Sequence, residues 1–145
     1  MERVTAYIDG YNLYYGIRVK GWTWAKWLNV QEMCHRLLRP HQTLVQVRYH
    51  TSLVRGPSDR VKRQATFVEA LGTLPGVSIH FGHFLDDSVT CRACGHVHTR
   101  HHEKMTDVNI ATNLLVDAFQ DCFDVALLVS ADSDLIAPIR ALRSL

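Results

Sequence analysis

The sequence predicts a three-layer α/β fold with a mainly parallel central sheet. Three observations carry this. Strand-like and helical patterns alternate as strand, helix, strand, helix, strand, insertion, helix, strand, helix, the order that right-handed βαβ crossovers produce. Val125–Val129 is an unbroken apolar run, which reads as a strand buried on both faces of a parallel sheet. Strand-like segments at both ends of the chain finish in carboxylates, Asp9 in one case and Asp132 with Asp134 in the other. Open α/β sheets bind ligands outside the carboxyl ends of their strands.

The elements follow in order. Residues 3–9 (RVTAYID) form a first strand, and Gly10-Tyr11-Asn12 turns the chain. The next stretch interleaves Tyr14, Tyr15, Trp22, Trp24 and Trp27 with Arg18, Lys20 and Lys26. Such a mixture serves either for packing or for stacking bases beside phosphates. Asn29 with Glu32 resembles a capping box and opens a helix to about Leu38, with Cys34 on its apolar stripe and Pro40 beyond its end. Residues 43–51 alternate Val45, Val47 and Tyr49 as a second strand. A helix over residues 59–71 is expected to turn Val61, Ala65, Val68 and Leu71 inward, with Arg60, Lys62, Arg63 and Gln64 outward. Pro75-Gly76 leads into a third strand, residues 77–81. An insertion over about residues 83–102 follows, in which the stretch from Cys91 to His98 shows no helical or strand period. Thr106 is expected to cap a helix to about Asp121, with Val108, Ala111, Leu115, Ala118 and Phe119 inward. The strand at Val125–Val129 and a short helix complete the order.

A chain of 145 residues with 47% hydrophobic and 21% charged residues suits one globular domain, residues 1–145. Strand-like sequence by Val4 leaves no leader in view, and no apolar run reaches membrane-spanning length, so a cytoplasmic chain with reduced thiols is expected. The net charge of +2 is too small to imply a nucleic-acid partner, but its distribution is uneven. Between Arg36 and Arg63 lie seven basic residues and one acid, while between Glu103 and Asp134 lie seven acids and one base. A basic segment beside an acidic one suits a site that holds a polyanion next to carboxylates, although solvated surfaces give the same count.

If the first and last strands are neighbours where the strand order reverses, Asp9, Asp132 and Asp134 meet at one edge. The helix beginning near Asp107 starts on that same side, so Asp107 joins them. Helix capping is the ordinary use of single aspartates. Four together repel one another unless a cation neutralises them, and oxygen-only donors suit Mg²⁺ or Mn²⁺. No Ser-His-Asp spacing, nucleophile elbow or Gly-rich phosphate loop competes.

Three segments carry a family resemblance: Tyr7-Ile8-Asp9-Gly10-Tyr11-Asn12, the stretch from Glu103-Lys104-Met105-Thr106-Asp107 to Ala111, and Leu128-Val129-Ser130-Ala131-Asp132-Ser133-Asp134-Leu135. Together they resemble the NYN domain of the PIN-like nucleases, the group that includes LabA/DUF88-like proteins. The resemblance implies a PIN-like fold and a ribonuclease that uses Mg²⁺ or Mn²⁺. It also implies RNA as the partner and Asp9, Asp107, Asp132 and Asp134 as the acidic site. Asn12 and Ser130 match positions that support the acids, and Glu103 and Lys104 match a charged pair ahead of the helix. With RNA as substrate, Arg48, Arg60 and Arg63 of the basic segment become the RNA-binding candidates. Ala131 stands where the family often has Gly, and Asn113 where many members carry a further Asp. Such domains commonly add a strand and helix beyond the position of Leu145. The alternative is a non-catalytic RNA-binding module that retains the fold, and a DNA-directed nuclease shares the same chemistry. A homo-oligomer is left open.

Cys91-x-x-Cys94-Gly95 has the shape of a zinc knuckle, half of a tetrahedral site. His96 and His98 are the leading candidates to complete a structural Zn²⁺ site, with His83, His101, His102 or a partner chain as alternatives. A loop with incidental cysteines is the ordinary reading of the same residues.

Overall fold

A computed structural model describes residues 1–54 and 56–144, and of residues 83–87 and 98–104 it describes the backbone. The chain runs β1 (Glu2–Asp9), α1 (Gly10–Val19), a 3₁₀ turn (Thr23–Trp27), α2 (Val30–Leu37), β2 (Gln42–Thr51), α3 (Ser58–Gly72) and β3 (Val77–Phe81). It continues with β4 (His83–Thr90), β5 (Val97–Lys104), α4 (Thr106–Phe119), β6 (Val125–Val129), a 3₁₀ turn (Ser133–Leu135) and α5 (Ile136–Leu142). Four strands form one parallel sheet in the order β3-β2-β1-β6. The chain leaves β1 toward β2 and β3 and returns to β6 on the other side. The order therefore reverses between β1 and β6, as expected.

Helices cover both faces. Ala6, Ile8, Val47 and Tyr49 of the sheet pack with Val30 and Cys34 of α2 and Leu71 of α3. On the opposite face Tyr7 packs with Ile110 and Leu114 of α4 and with Leu135. Among these strands β1 has neighbours on both edges and helices on both faces, and all its residues from Val4 to Asp9 are buried. Burial of one such aliphatic side chain is worth about 1.5–3 kcal/mol, so β1 anchors both cores.

Several expectations about packing are corrected. β6 is an edge strand of this sheet and is only half-buried along its length, because β1 alone pairs with it among the described residues. Val45 does not join the inward alternation. The β1–β2 register shifts between Val4 and Thr5, which pair with Leu44 and Gln46, so Val45 is the unmatched residue of a bulge and is exposed. On α3 the inward face carries Gln64, Phe67 and Leu71, while Val61 and Ala65 are exposed. Gln64 faces inward because its amide accepts from the Val54 N–H at 2.7 Å and donates to the Ser52 carbonyl at 2.7 Å. On α4 the buried positions are Thr106, Ile110, Leu114 and Asp117, and Val108 and Phe119 lie outside. An acid on the inner face breaks the apolar period from which the face was read.

Two elements go beyond the expected order. α1 begins directly after Asp9, where only a turn was expected. The insertion is an antiparallel hairpin, β4 with β5, in which Thr90 pairs with Val97 across the turn that holds Cys91 and Cys94. Thr106 is the first residue of α4 and not its cap; Met105 precedes the helix in the left-handed region at φ 80°. Among the described residues no helix is long and apolar enough to cross a membrane.

Candidate active site

Asp9 ends the central strand and is 2% exposed. Its Oδ1 accepts the Asn12 backbone N–H at 3.0 Å, which caps α1. Its Oδ2 accepts from Asn12 Nδ2 and from the Ser130 hydroxyl at 3.0 Å. The carboxylate is thus held by three donors, each partly compensating its removal from water. Gly10 makes this turn possible: a Cβ there would lie 2.6 Å from Tyr49 Oη and 2.9 Å from the His50 carbonyl. Asn12 also ties the two strand ends together, because its Oδ1 accepts the Ala131 N–H at 3.3 Å. Ser130 joins them again by donating to Asp9, while its hydroxyl oxygen accepts the nearby Asp132 N–H at 3.1 Å.

Asp132 follows β6, and its Oδ1 accepts the Asp134 N–H at 2.9 Å, capping the second 3₁₀ turn. Asp9 and Asp132 thus both serve as caps, of the helix and of the 3₁₀ turn that follow them. Asp9, Asp107 and Asp132 line one cleft of about 130 Å³, together with Tyr11, Asn12, Met105 and Thr106. Asp107 enters from the first turn of α4, as the crossover argument expects. Asp134 is exposed and does not line this cleft. Tyr11, Met105 and Thr106 were not singled out as cleft residues from the sequence. Their positions beside Asp9 and Asp107 in the chain were the available signal.

The donors in the cleft are hard oxygens, the type that suits Mg²⁺ or Mn²⁺. Among the described residues no three His, Cys, Asp or Glu side chains are gathered closely enough to hold a metal. Magnesium commonly keeps several waters and takes one or two carboxylates, so the donor set fits it without such a cluster.

Beneath α4 the sheet carries a buried polar layer. Asp117, 3% exposed, accepts from the Tyr7 hydroxyl at 2.6 Å and from Arg48 Nε and Nη2 at 2.6 and 2.7 Å. Arg48, expected among the RNA-binding residues, is therefore committed to a bidentate buried pair. His50 stacks on His80 with ring centroids 4.8 Å apart. Asn113 Nδ2 lies 3.0 Å from His50 Nε2 and 3.3 Å from His80 Nδ1, so Asn113 serves this layer rather than the carboxylate cleft. Burial, and then the neighbouring His80, push the His50 imidazole down to about 4. His80 is lowered as well, first by burial and then by Arg48. Both rings are neutral at pH 7, and among the described residues the buried His50 Nδ1 has no hydrogen-bond partner.

Arg60 and Arg63 line a second, larger cleft of about 250 Å³ between α1, the first 3₁₀ turn and α3. Two more acids of the acidic segment have structural partners: Asp121 and Asp124 pair with Arg3 at 2.8 and 2.9 Å. Arg3 holds the Asp124 carboxyl at about 2, well below the usual range.

At the hairpin turn the Gly95 N–H donates to the Cys91 carbonyl and the Cys91 N–H to the His96 carbonyl, both at 2.8 Å, with Gly95 at φ 72°. Backbone hydrogen bonds from Ala93 and Cys94 lower the Cys91 thiol, the pattern that favours a thiolate. This pair offers two ligands of a zinc site, and no third described ligand is gathered with it. The side chains of His98, Glu103 and Lys104, named from the sequence, lie outside the described residues, as do those of His83, His101 and His102.

No curated protein and no solved structure matches the chain. The NYN domain model matches residues 3–145, nearly the whole length, and spans every element that forms the carboxylate cleft. With four parallel strands, helices on both faces and the three motif segments meeting where the strand order reverses, the chain belongs to the NYN domain family.

Proposed function

We propose that this chain is a divalent-metal-dependent ribonuclease that hydrolyses RNA phosphodiester bonds at the Asp9, Asp107 and Asp132 cleft, with Asp134 contributing from its rim. The observation that carries the reading is the convergence of three carboxylates, from three distant places in the chain, on one cleft at the switch point of a parallel sheet. Nuclease activity is broadly associated with the NYN and PIN-like superfamily. A bound Mg²⁺ or Mn²⁺ would supply charge neutralisation and an activated water. Asp107 and Asp132 are the groups to hold it, while Asp9, fixed by Asn12 and Ser130, sets the position of the charge they face. Glu103 and Lys104 are proposed at the approach to the cleft, and Arg60 and Arg63 as contacts to the RNA backbone. Cys91 and Cys94, with His96 and His98, are proposed to hold a structural Zn²⁺ that steadies the hairpin leading into Asp107.

The second reading, an RNA-binding module without catalysis, is favoured by one observation: the described carboxylates are not gathered into a three-ligand metal group. Cleavage of single-stranded RNA and DNA with Mn²⁺ or Mg²⁺, comparing wild type with Asp132→Asn, separates the two. The nuclease reading requires RNA cleavage that the substitution abolishes. Metal-independent cleavage, or cleavage that survives the substitution, removes the proposed site.

A further inference from the structure

We propose that the larger cleft is a subsite for one unstacked base of single-stranded RNA, adjoining the carboxylate cleft. The inference rests on the ribonuclease reading for its substrate class, and on independent geometry for its location. Tyr49 packs edge-on against Phe67 at 6.1 Å, and Phe67 edge-on against Trp27 at 6.0 Å, so the aromatic wall is built before any ligand arrives. Tyr15 and Trp27 line the cleft and remain about half exposed, so aromatic surface there is open to a flat heterocycle. Three cations, Lys26, Arg60 and Arg63, line the cleft, and among the described residues no acid does. None of the three is in an ion pair among the described residues. Such cations favour a polyanion, and the aromatic slot favours its bases, the combination by which single strands are held.

The cleft also has a fixed relation to the acids. Tyr11 lines both clefts, and its ring stacks on Tyr15 with centroids 6.2 Å apart and planes 21° apart. Gly10 and Tyr11 follow Asp9 directly, and Gly10 lines only the larger cleft. A strand whose base enters beside Tyr15 therefore carries its phosphates past Tyr11 toward Asp9, Asp107 and Asp132. A volume of about 250 Å³ lies just below the range of about 300–1,000 Å³ typical of drug-sized ligands, which suits a single base.

The test is binding without cleavage: anisotropy of a labelled single-stranded oligoribonucleotide in the presence of a chelator. Tyr15→Ala and Trp27→Ala are each expected to weaken binding about 5- to 100-fold, the range for loss of one stacked base. Trp27→Phe should restore most of it, and Arg63→Ala should reduce the salt dependence of binding. Tyr15 is a surface residue, so its variant keeps the test valid if Trp27→Ala unfolds. Binding that is unchanged in both alanine variants overturns the subsite, as does equal affinity for duplex RNA. Displacement of the oligonucleotide by an equimolar mononucleotide assigns the cleft to free nucleotides and also overturns it. RNA that binds through Tyr15 and Trp27 but is never cut with Mn²⁺ supports the subsite while removing the nuclease reading. RNA that is cut at wild-type rate and affinity by both alanine variants does the reverse.

Discussion

Replacing Asp117 with Ala isolates the energetic role of the polar layer beneath α4. The substitution removes the acceptor of three short hydrogen bonds and strands two donors, the Tyr7 hydroxyl and the Arg48 guanidinium. Tyr7 is fully buried, and the Arg48 side chain is 19% exposed. Truncating one partner of a buried pair costs about 3–5 kcal/mol, because a charge is left without compensation. The residual exposure of Arg48 allows partial rehydration, which favours the lower end, about 3 kcal/mol. For a chain of this size each kcal/mol moves the melting temperature by about 2–4 °C, so a fall of about 10 °C is expected. Urea unfolding should show a lower midpoint with an unchanged slope. The double variant Arg48→Met with Asp117→Leu removes both charges but leaves the Tyr7 hydroxyl without its acceptor, so it should recover part of the loss. A cost below about 1 kcal/mol for Asp117→Ala, or no recovery in the double variant, would refute the reasoning.

Three further outcomes follow from the geometry. Gly10→Ala drives a Cβ into Tyr49 and the His50 carbonyl, so it should destabilise the fold by about 1–3 kcal/mol and reduce RNA cleavage by displacing Asp9; an unchanged melting temperature would contradict it. His50, neutral in the fold with its pKa at about 4 against 6.5 when exposed, makes the unfolded chain the better proton acceptor below neutrality. Stability should therefore be full above pH 6.5 and fall by about 3 kcal/mol toward pH 4. His50→Gln should flatten that slope relative to wild type in urea titrations. Cys91→Ser should lower both bound zinc, read by elemental analysis, and the melting temperature; unchanged zinc stoichiometry would remove the knuckle.

The acidic end of the sheet was the most legible part of the chain. Strand ends and crossover direction bring Asp9, Asp107 and Asp132 to one edge, because a parallel sheet leaves few places for them. What was not legible depended on partners distant in sequence. Gln64 reads as a surface residue until the backbone after β2 turns an N–H and a carbonyl toward it. Asp117 reads as one more acid in a charged segment until Arg48 and Tyr7 meet it from β2 and β1. The same pairing shows why counting charges overstated the case: Asp117, Asp121 and Asp124 serve arginines rather than the site. α1 was hidden because its start is a glycine and its aromatic side chains line a cleft on one side rather than a closed core.

The measurement that bears most directly on the central claim is single-stranded RNA cleavage with Mn²⁺, comparing wild type, Asp132→Asn and Asp107→Asn at matched folding. The carboxylate cleft predicts metal-dependent cleavage by the wild type and a loss of at least about a hundredfold in each variant, the scale of removing one group that stabilises the transition state electrostatically. Equal cleavage by all three proteins, or none by the wild type while RNA still binds, contradicts it.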